Sequence, residues 1–314
     1  MGYVRLLNTK NYYMADKLDH NDFKEILEPN ISPYVKNRIT KYSFVHEELN
    51  KKDYLMCLEK IQAVLDDDIT QAGEERQQQW DDGWRENLTS NSLLPGYFGK
   101  YDILRWKRWF VSPISKNYEV NMLHLIVDWL ADKYMRDASR ICEFGCGTGH
   151  NLQHVRMVNP KATLIGLDWA KSSQEIITKY AKDNDSNLFA KNFNFFDPDY
   201  DFDDIGDVVY TVAALEQVGE NFVEFLYYLL YNKPKLCIHI EPIGELLDDK
   251  YVIDRLSLEY FKKRNYLSGF LTSLRDLEDL GMIKIIREQR TYVGSLFIEG
   301  YSVIVWKLNK SFYE

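Results

Sequence analysis

Three glycines and two acidic residues are spaced in a way that fits the binding of a nucleoside. Glu143 lies in a short apolar segment, Gly145, Gly147 and Gly149 follow it, and Asp168 ends the next apolar segment. Glycines allow positive φ and let a ligand approach the backbone closely, and a following helix presents free N–H groups to that ligand. An acidic residue at the tip of the next strand can accept both hydroxyls of a ribose. We therefore expect a nucleoside at the carboxyl end of a parallel sheet.

The sequence on either side of the glycines indicates the strands and the helix that must position these residues. The apolar residues 141–144 and 163–167 have the length of strands, and a helix is expected from His150 until Asn159-Pro160 ends it. Dinucleotide sites prefer the pattern G-x-G-x-x-G, or the same pattern with alanine at the last position. Here the order is G-x-G-x-G, and His150 stands where the last glycine of that pattern would fall. The spacing therefore departs from the dinucleotide pattern.

The stretch E-F-G-C-G-T-G-H-N resembles motif I of the class I S-adenosylmethionine-dependent methyltransferases, in the form E-x-G-C-G-x-G-x-N. The resemblance covers about residues 97–307 and implies S-adenosylmethionine as the cofactor. It implies that Glu143 lies near the methionine end, that the loop lies under the cofactor and that Asp168 takes the ribose hydroxyls. The remaining positions that the resemblance assigns to the cofactor are Gly145, Cys146, Gly147 and Asn151 of the motif, with Trp169 beside the adenine.

Two further segments extend the expected cofactor site. In the family, an acidic or amide side chain after the third strand contacts the adenine amino group, and both Asn194 and Asp197 qualify. The segment before the first strand often folds over the active site, so Tyr97, Tyr101 or Arg105 could reach the cofactor carboxylate or an anionic substrate.

Three side chains are candidates for catalysis. Residues 236–240 form an expected fifth strand that runs into Glu241, and the carboxyl ends of central strands border the ligand crevice. His239 is the first choice for a base because its unperturbed pKa suits proton transfer near neutral pH. A buried histidine satisfied by a neighbouring group is the competing interpretation. Glu241 and Glu216 follow; Glu216 precedes Gln217, which replaces the histidine of the family's L-E-H segment. No set of residues has metal-ligand spacing, so a metal-independent reaction is expected.

The strands and helices predict an α/β fold with a doubly wound, seven-stranded, mostly parallel sheet and an N-terminal helical extension. We expect residues 1–95 to form a helical region that acts as a lid, a support or a dimerisation element, and residues 96–314 to form the catalytic domain. Local predictions in these regions are a helix over 16–27, a long helical face over 55–72 weakened at Gly73, an amphipathic helix over 97–110, and a capping box of Ser172 and Glu175.

Composition narrows the classes of function. The chain has 314 residues and a net charge of −9, which argues against general affinity for nucleic acid. Its four cysteines lack metal-site spacing, and no apolar run reaches the length of a membrane span. We expect a cytoplasmic protein without membrane association, in which the N-terminal helices could pair two copies as a homodimer.

The leading hypothesis is a methyltransferase acting on a small polar metabolite, O-directed, with a carbohydrate or anionic sugar-type acceptor. An RNA methyltransferase is the competing enzyme hypothesis, and it rests on the basic and aromatic cluster at 105–109. A binding protein that retains the fold without turnover belongs to a different class. An oxidoreductase is disfavoured by His150.

Overall fold

The centre of the protein is a seven-stranded sheet. The computed structural model describes residues 15–202, 205–309 and 312. The strands in these residues are β1 (Ala15–Lys17), β2 (Val45–Glu48), β3 (Leu104–Trp106), β4 (Trp109–Pro113), β5 (Arg140–Phe144), β6 (Thr163–Asp168), β7 (Leu188–Asn192), β8 (Val208–Val212), β9 (Leu236–Glu241), β10 (Ile283–Gln289), β11 (Val293–Gly294) and β12 (Ser302–Leu308). The central sheet has the order β10-β12-β9-β8-β5-β6-β7.

The direction of the strands confirms the predicted fold. Strands β9, β8, β5, β6 and β7 run parallel to one another, while β12 is antiparallel to both β9 and β10. A mostly parallel seven-stranded sheet with one antiparallel strand near its edge is the arrangement that the motif I resemblance implies. The chain therefore has the Rossmann-like fold of the class I methyltransferases.

Helices cover both faces of this sheet because its strands are apolar on both sides. In β5, Ile141 belongs to the apolar cluster that includes the helices at 118–130 and 150–158, whereas Cys142 and Phe144 belong to the cluster that includes the helices at 222–232 and 270–279. The helices of the described residues are α1 (Pro33–Tyr42), α2 (Lys51–Asp66), α3 (Gln77–Ser90), α4 (Tyr118–Leu130, continued by a π-helical turn over Ala131–Met135), α5 (His150–Val158), α6 (Lys171–Asn184), α7 (Phe222–Asn232), α8 (Val252–Arg264) and α9 (Phe270–Asp279).

A second sheet joins distant parts of the chain. Its five strands have the order β1-β2-β4-β3-β11, so strands from before residue 50 pair with strands from beyond residue 100. The expectation that the N-terminal region is wholly helical is wrong at β1 and β2. Its division from the rest near residue 95 stays a prediction, and strand pairing crosses that point.

The predicted helix over residues 16–27 is wrong. Asp16 pairs with His46 in the second sheet, and the Asp19 side chain then accepts a hydrogen bond from the Asn21 backbone N–H at 2.6 Å. Such local bonds compete with helix formation. Phe23, Ile26 and Leu27 are nevertheless buried, and their helix-like spacing explains the wrong prediction. The predicted helical face over residues 55–72 is confirmed as far as Asp66, where α2 ends, and is wrong beyond it, because the next α-helix, α3, begins only at Gln77.

The predicted helix over residues 97–110 is also wrong, because this segment contains the hairpin of β3 and β4. Trp106 pairs with Trp109, and the two turn residues Lys107 and Arg108 have φ of 49° and 62°. Two positive φ values define the tight turn that usually selects asparagine or glycine. Because this turn has lysine and arginine in place of asparagine or glycine, the hairpin could not be predicted from the sequence.

Candidate active site

The glycine loop after β5 leaves no room for side chains. Gly145, Gly147 and Gly149 have φ of 70°, 52° and 76°, which is the left-handed region that favours glycine. A Cβ at Gly145 would lie 2.4 Å from Ala214 Cβ, and one at Gly147 would lie 2.9 Å from the Trp84 ring. The loop is therefore fixed by its φ angles and by close packing.

Asp168 is bound to this loop and retains capacity to accept more hydrogen bonds. Its Oδ2 accepts from Gly147 N and its Oδ1 accepts from Ala170 N, each at 2.8 Å. A carboxylate has about four lone-pair positions, so two acceptor positions are left for a ligand. Burial raises the pKa of Asp168 to about 6. The carboxyl group lines the cavity described below.

Glu143 contacts Asn151 and does not itself reach the cavity described below. Its Oε1 accepts from Asn151 Nδ2 at 2.9 Å and its Oε2 accepts from the Tyr210 hydroxyl at 2.8 Å. Burial raises the pKa of Glu143 to about 8. Asn151 lines the cavity and its Oδ1 has no hydrogen-bond partner, whereas Glu143 does not line the cavity. Glu143 thus orients Asn151, which presents a free acceptor.

A cavity of about 480 Å³ opens at the carboxyl end of the central sheet. This volume lies within the range of about 300–1,000 Å³ that is usual for small-molecule sites. The glycine loop with Cys146, Asp168 and the segment after β8 form its floor, and α3 with Trp80 and Trp84 forms one wall. Its other walls carry Arg76, Tyr97, Lys100, Tyr101, Glu119, Tyr260, Arg264, Tyr266, Phe297 and Tyr301.

Aromatic rings occupy the position predicted for an amide or acid near the adenine. Trp169 and Phe196 stack with ring centroids 5.5 Å apart, and both line the cavity together with Phe195. Neither Asn194 nor Asp197 lines it. Asn194 Oδ1 accepts from the Phe196 backbone N–H at 3.0 Å, which closes a local turn, and Asp197 is exposed. The structure thus gives no support to these two adenine contacts.

His239 is not placed for base catalysis. It is fully buried in β9 and does not line the cavity. Trp306 Nε1 donates to His239 Nε2 at 3.0 Å, and Thr211 Oγ1 lies 3.0 Å from His239 Nδ1. Burial lowers the pKa of His239 to about 3. Because both ring nitrogens have partners inside the core, the competing interpretation of a satisfied buried histidine describes this residue.

The two candidate glutamates differ in position. Glu241 accepts hydrogen bonds from the backbone N–H groups of Ala214, Leu215 and Glu216 at 3.1–3.3 Å, so it shapes the segment after β8 and does not line the cavity. Glu216 does line the cavity. Burial, with the nearby Glu241, raises the pKa of Glu216 to about 8. Of the three predicted catalytic side chains, only Glu216 can meet a ligand there.

Arg105 is not a cofactor residue. Its guanidinium donates to the carbonyl oxygens of Leu296, Phe297 and Ile253 at 2.7–3.3 Å and to the Ser257 hydroxyl. Burial lowers its pKa to about 10. Arg105 itself does not line the cavity, although it holds the loop after β11 against α8, whereas Tyr97 and Tyr101 from the same expected segment do line it.

Helix α3 contributes a wall of the cavity that was not predicted from the sequence. Trp80 and Trp84 lie one turn apart on this helix, and α3 is fixed to α6 because Asp81 Oδ1 accepts from Ser172 N at 2.7 Å. The predicted capping box is therefore wrong, because α6 begins at Lys171 and its cap comes from another helix. The four-residue spacing of the tryptophans was the available signal, but it did not show which surface they cover.

Unsatisfied polar atoms concentrate around the cavity. Among the described residues, eight buried side-chain nitrogen or oxygen atoms are found without a hydrogen-bond partner, and five of them belong to residues that line the cavity. These five are Arg76 Nε, Trp80 Nε1, Asn151 Oδ1, Gln217 Oε1 and Arg264 Nε. Buried polar groups are normally paired, so this concentration points to a polar ligand.

The described residues include neither a cluster of metal ligands nor a membrane-spanning helix. No group of three or more His, Cys, Asp or Glu side chains there is arranged to hold a metal ion. None of the helices there combines the length and apolarity needed to cross a bilayer. All four cysteines are buried as free thiols.

Comparison with known proteins gives similarity to solved structures only. No protein-family model and no curated protein matches the sequence. One similar structure is the O-methyltransferase NcsB1 from neocarzinostatin biosynthesis, in complex with S-adenosylmethionine and 2-hydroxy-5-methyl naphthoic acid. It has 13% identity and a TM-score of 0.44, over 61% of this chain and 57% of that chain, so the match spans less than two thirds of NcsB1.

Two other similar solved structures are also of methyltransferases. The N-methyltransferase NodS from Bradyrhizobium japonicum WM9, with S-adenosyl-L-homocysteine, has 9% identity and a TM-score of 0.46, over 60% of this chain and 86% of that chain. The methyltransferase domain of bacterial CtHen1 has 17% identity and a TM-score of 0.42, over 60% of this chain and 97% of that domain. At this level of similarity, the reaction and its acceptor follow only from the chemistry of the site itself.

Proposed function

We propose that this protein is an S-adenosylmethionine-dependent methyltransferase. The observation that supports this most directly is the cavity at the carboxyl end of the sheet, where the glycine loop, Asp168 and unpaired buried polar atoms meet. Ligands of open α/β sheets bind at this end of the strands.

The residues of the cavity fit the proposed cofactor. Asp168 has two free acceptor positions for ribose hydroxyls, and the Asn151 Oδ1 can accept from the amino group of the methionine end. Trp169 and Phe196 offer an aromatic surface for adenine. When bound, S-adenosylmethionine supplies an electrophilic methyl group on its sulfonium.

The protein itself must hold the acceptor, exclude water and receive a proton when the acceptor is a hydroxyl group. Tyrosine rings from several elements enclose the rest of the cavity, with Tyr97, Tyr260 and Tyr301 among them. Glu216 is the candidate base, because it lines the cavity and its raised pKa lies close to neutral pH. We infer a small polar acceptor, O-directed methylation and a carbohydrate or anionic sugar-type metabolite.

The basic and aromatic cluster at 105–109, on which the RNA hypothesis rests, has partners within the protein. Arg105 is buried among carbonyl groups, Arg108 Nε lies 3.4 Å from Asp254 Oδ2, and Lys107 Nζ lies 3.4 Å from Glu25 Oε2. Basic side chains with internal partners do not form a surface for phosphate groups. These contacts favour a small acceptor over RNA. The cytoplasmic location and the pairing of two copies through N-terminal helices stay predictions.

The test is calorimetric titration of S-adenosylmethionine and S-adenosylhomocysteine into wild-type protein and Asp168→Ala. We expect saturable binding that the substitution weakens by about 1–3 kcal/mol, the usual cost of losing the partner of buried polar groups. Asp183→Ala is the matched control, because Asp183 is an exposed acidic residue of α6. Folded wild-type protein that binds neither compound would contradict the proposal and favour a scaffold role. Binding without turnover on any hydroxyl acceptor would favour a non-catalytic binding protein.

A further inference from the structure

Two arginines line the cavity without a carboxylate partner. Arg76 precedes α3 and Arg264 ends α8, and neither forms an ion pair within 4.0 Å among the described residues. Arg76 Nη1 donates to Gln71 O at 3.2 Å, and Arg264 donates to Thr70 O and lies 3.4 Å from the Tyr266 hydroxyl. A carbonyl oxygen therefore positions the Arg76 guanidinium, a carbonyl and a hydroxyl oxygen position that of Arg264, and no carboxylate of the described residues lies within 4.0 Å of either.

The two guanidiniums influence each other. Burial and the nearby charge of Arg264 lower the pKa of Arg76, whose side chain belongs to a residue only 8% exposed. Like charges repel at such a site unless an anion lies between or beside them. The buried Arg76 and the half-buried Arg264 therefore repel each other across the cavity wall, and an anionic group bound beside them would offset that repulsion.

Unused hydrogen-bond donors face the same space. Arg76 Nε, Arg264 Nε and Trp80 Nε1 are buried without partners, and all three residues line the cavity. Guanidinium groups present several N–H donors in a fixed fork that matches the oxygens of carboxylate and phosphate. All three of these nitrogen atoms are hydrogen-bond donors, so the ligand group that matches them is an oxyanion.

Glu216 lies near enough to Arg264 for their charges to interact, but no acidic side chain among the described residues of the cavity forms an ion pair with either arginine. Glu216 Oε1 accepts from Gln217 Nε2 at 2.9 Å, and burial favours its uncharged form near neutral pH. Glu119 accepts from Gly99 N at 2.8 Å, and burial raises its pKa as well. Asp168 is bound to backbone N–H groups of the glycine loop. Lys100 adds a third basic side chain to the lining.

We propose that Arg76 and Arg264, with the Trp80 indole N–H, form an anion subsite that binds a carboxylate or phosphate group of the methyl acceptor. This inference rests on the proposed function. The pair lies beside the segment after β8, since Asn265 follows Arg264 and packs on Gly219. The expected methionine end of the cofactor lies instead at Asn151 of α5. The acceptor is thus an anionic metabolite, held by its charged group while another group reacts.

The first experiment uses inorganic phosphate and acetate as minimal oxyanions, titrated into the full chain saturated with S-adenosylhomocysteine and followed by calorimetry. We expect saturable binding that Arg76→Met and Arg264→Met each weaken about tenfold or more, as for the loss of a charge-assisted hydrogen bond. Arg255→Met is the matched control, because Arg255 is an exposed arginine of α8 that does not line the cavity. Absence of saturable binding of both anions overturns the proposal.

The second experiment separates the acceptor from the cofactor as the source of the anion. S-adenosylhomocysteine carries a carboxylate and 5′-methylthioadenosine lacks it. We expect both variants to bind the two compounds as wild type does. Weaker binding of S-adenosylhomocysteine alone would assign the pair to the cofactor and overturn the acceptor assignment. If wild type binds phosphate but neither nucleoside, the proposed function fails while the anion subsite stands.

Conservative substitutions serve as controls for correct folding of the variants. Arg76→Lys and Arg264→Lys keep the positive charge and lose the fork, so we expect intermediate anion affinity with thermal unfolding close to that of wild type. Equal loss of affinity in the lysine and methionine variants, accompanied by equal loss of thermal stability, would indicate a structural role and contradict the proposal.

Discussion

Glu216 is the one predicted catalytic side chain that reaches the cavity. Its carboxyl group is buried beside Glu241, and its pKa is raised to about 8. A base of this pKa is largely protonated at pH 7 and becomes available as the pH rises. Position and pKa together therefore assign proton removal from a hydroxyl acceptor to Glu216 within the proposed function.

We predict that Glu216→Gln lowers the rate of methyl transfer by about 10²–10⁴-fold, the usual contribution of a positioned general base. In wild type the rate should rise with pH towards about 8, and this rise should be absent in the variant. The measurement is kcat against pH with S-adenosylmethionine and the acceptor. Glu220→Gln is the control, because Glu220 is exposed four residues away. A variant with the rate and pH profile of wild type would exclude Glu216 as the base.

At this scale, residues held by local geometry could be predicted and residues held by tertiary contacts could not. The glycine loop and Asp168 belong to one strand–turn–helix–strand unit, so their spacing in the sequence carries their arrangement in space. His239 follows the same logic along β9, yet Trp306 and Thr211 hold its ring inside the core. The strand pattern gave its place in the sheet but not the partners of its ring.

Helix α3 connects the wall of the cavity to α6, the helix that follows β6. Asp81 accepts from Ser172 N at 2.7 Å, and the Ser172 hydroxyl donates to Asp81 O at 2.8 Å. This exchange replaces the local cap that α6 lacks. The position of Trp80 and Trp84 over the glycine loop thus depends on a polar contact as well as on apolar packing.

We predict that Asp81→Ala lowers the free energy of unfolding by about 1–2 kcal/mol, because a helix loses its N-terminal acceptor. The same change should weaken S-adenosylhomocysteine binding by loosening α3. Asp82→Ala provides the comparison, since Asp82 accepts only an exposed bond from Gln78 and should cost less than about 0.5 kcal/mol. Urea denaturation and calorimetry measure both effects. Equal losses in the two variants would show that the inter-helix cap has no special role.

Elements were predictable where apolar periodicity was long or a strand lay between clear turns. The strands expected at 141–144, 163–167 and 236–240 meet these conditions, and each differs from the observed β5, β6 or β9 by a single residue at one end. The short strands β1 and β3 do not meet them, since three residues carry no periodicity. The burial of Phe23, Ile26 and Leu27 without a helix shows that spacing alone does not define an element.

At the scale of the whole molecule, buried ionisable groups set the dependence of stability on pH. Burial raises the pKa of Glu143 and Glu216 to about 8 and that of Glu241 to about 7. Such carboxyl groups stabilise the folded state while protonated, and this contribution is lost as pH rises through their folded pKa. His150 and His239, whose pKa burial lowers to about 3, have the opposite effect, but only below pH 6.5.

We therefore predict that the free energy of unfolding of the cofactor-free protein falls between about pH 6.5 and pH 8. Each carboxyl group contributes at most about 1.4 kcal/mol per pH unit. Urea denaturation at several pH values measures the slope, which Glu216→Gln should reduce and Glu220→Gln should leave unchanged. A free energy of unfolding that rises over this interval would mean that these carboxyl groups are ionised in the folded protein.

Both sheets depend on β11 and β12, and this bears on how the protein is made. Strand β12 (Ser302–Leu308) inserts between β10 and β9, and β11 (Val293–Gly294) pairs with β3 from nearly two hundred residues earlier. During synthesis, neither sheet can be completed until these last strands leave the ribosome. Strand edges of both sheets therefore stay unpaired until β11 and β12 have been synthesised, and unpaired edges are sites at which other chains can add a strand.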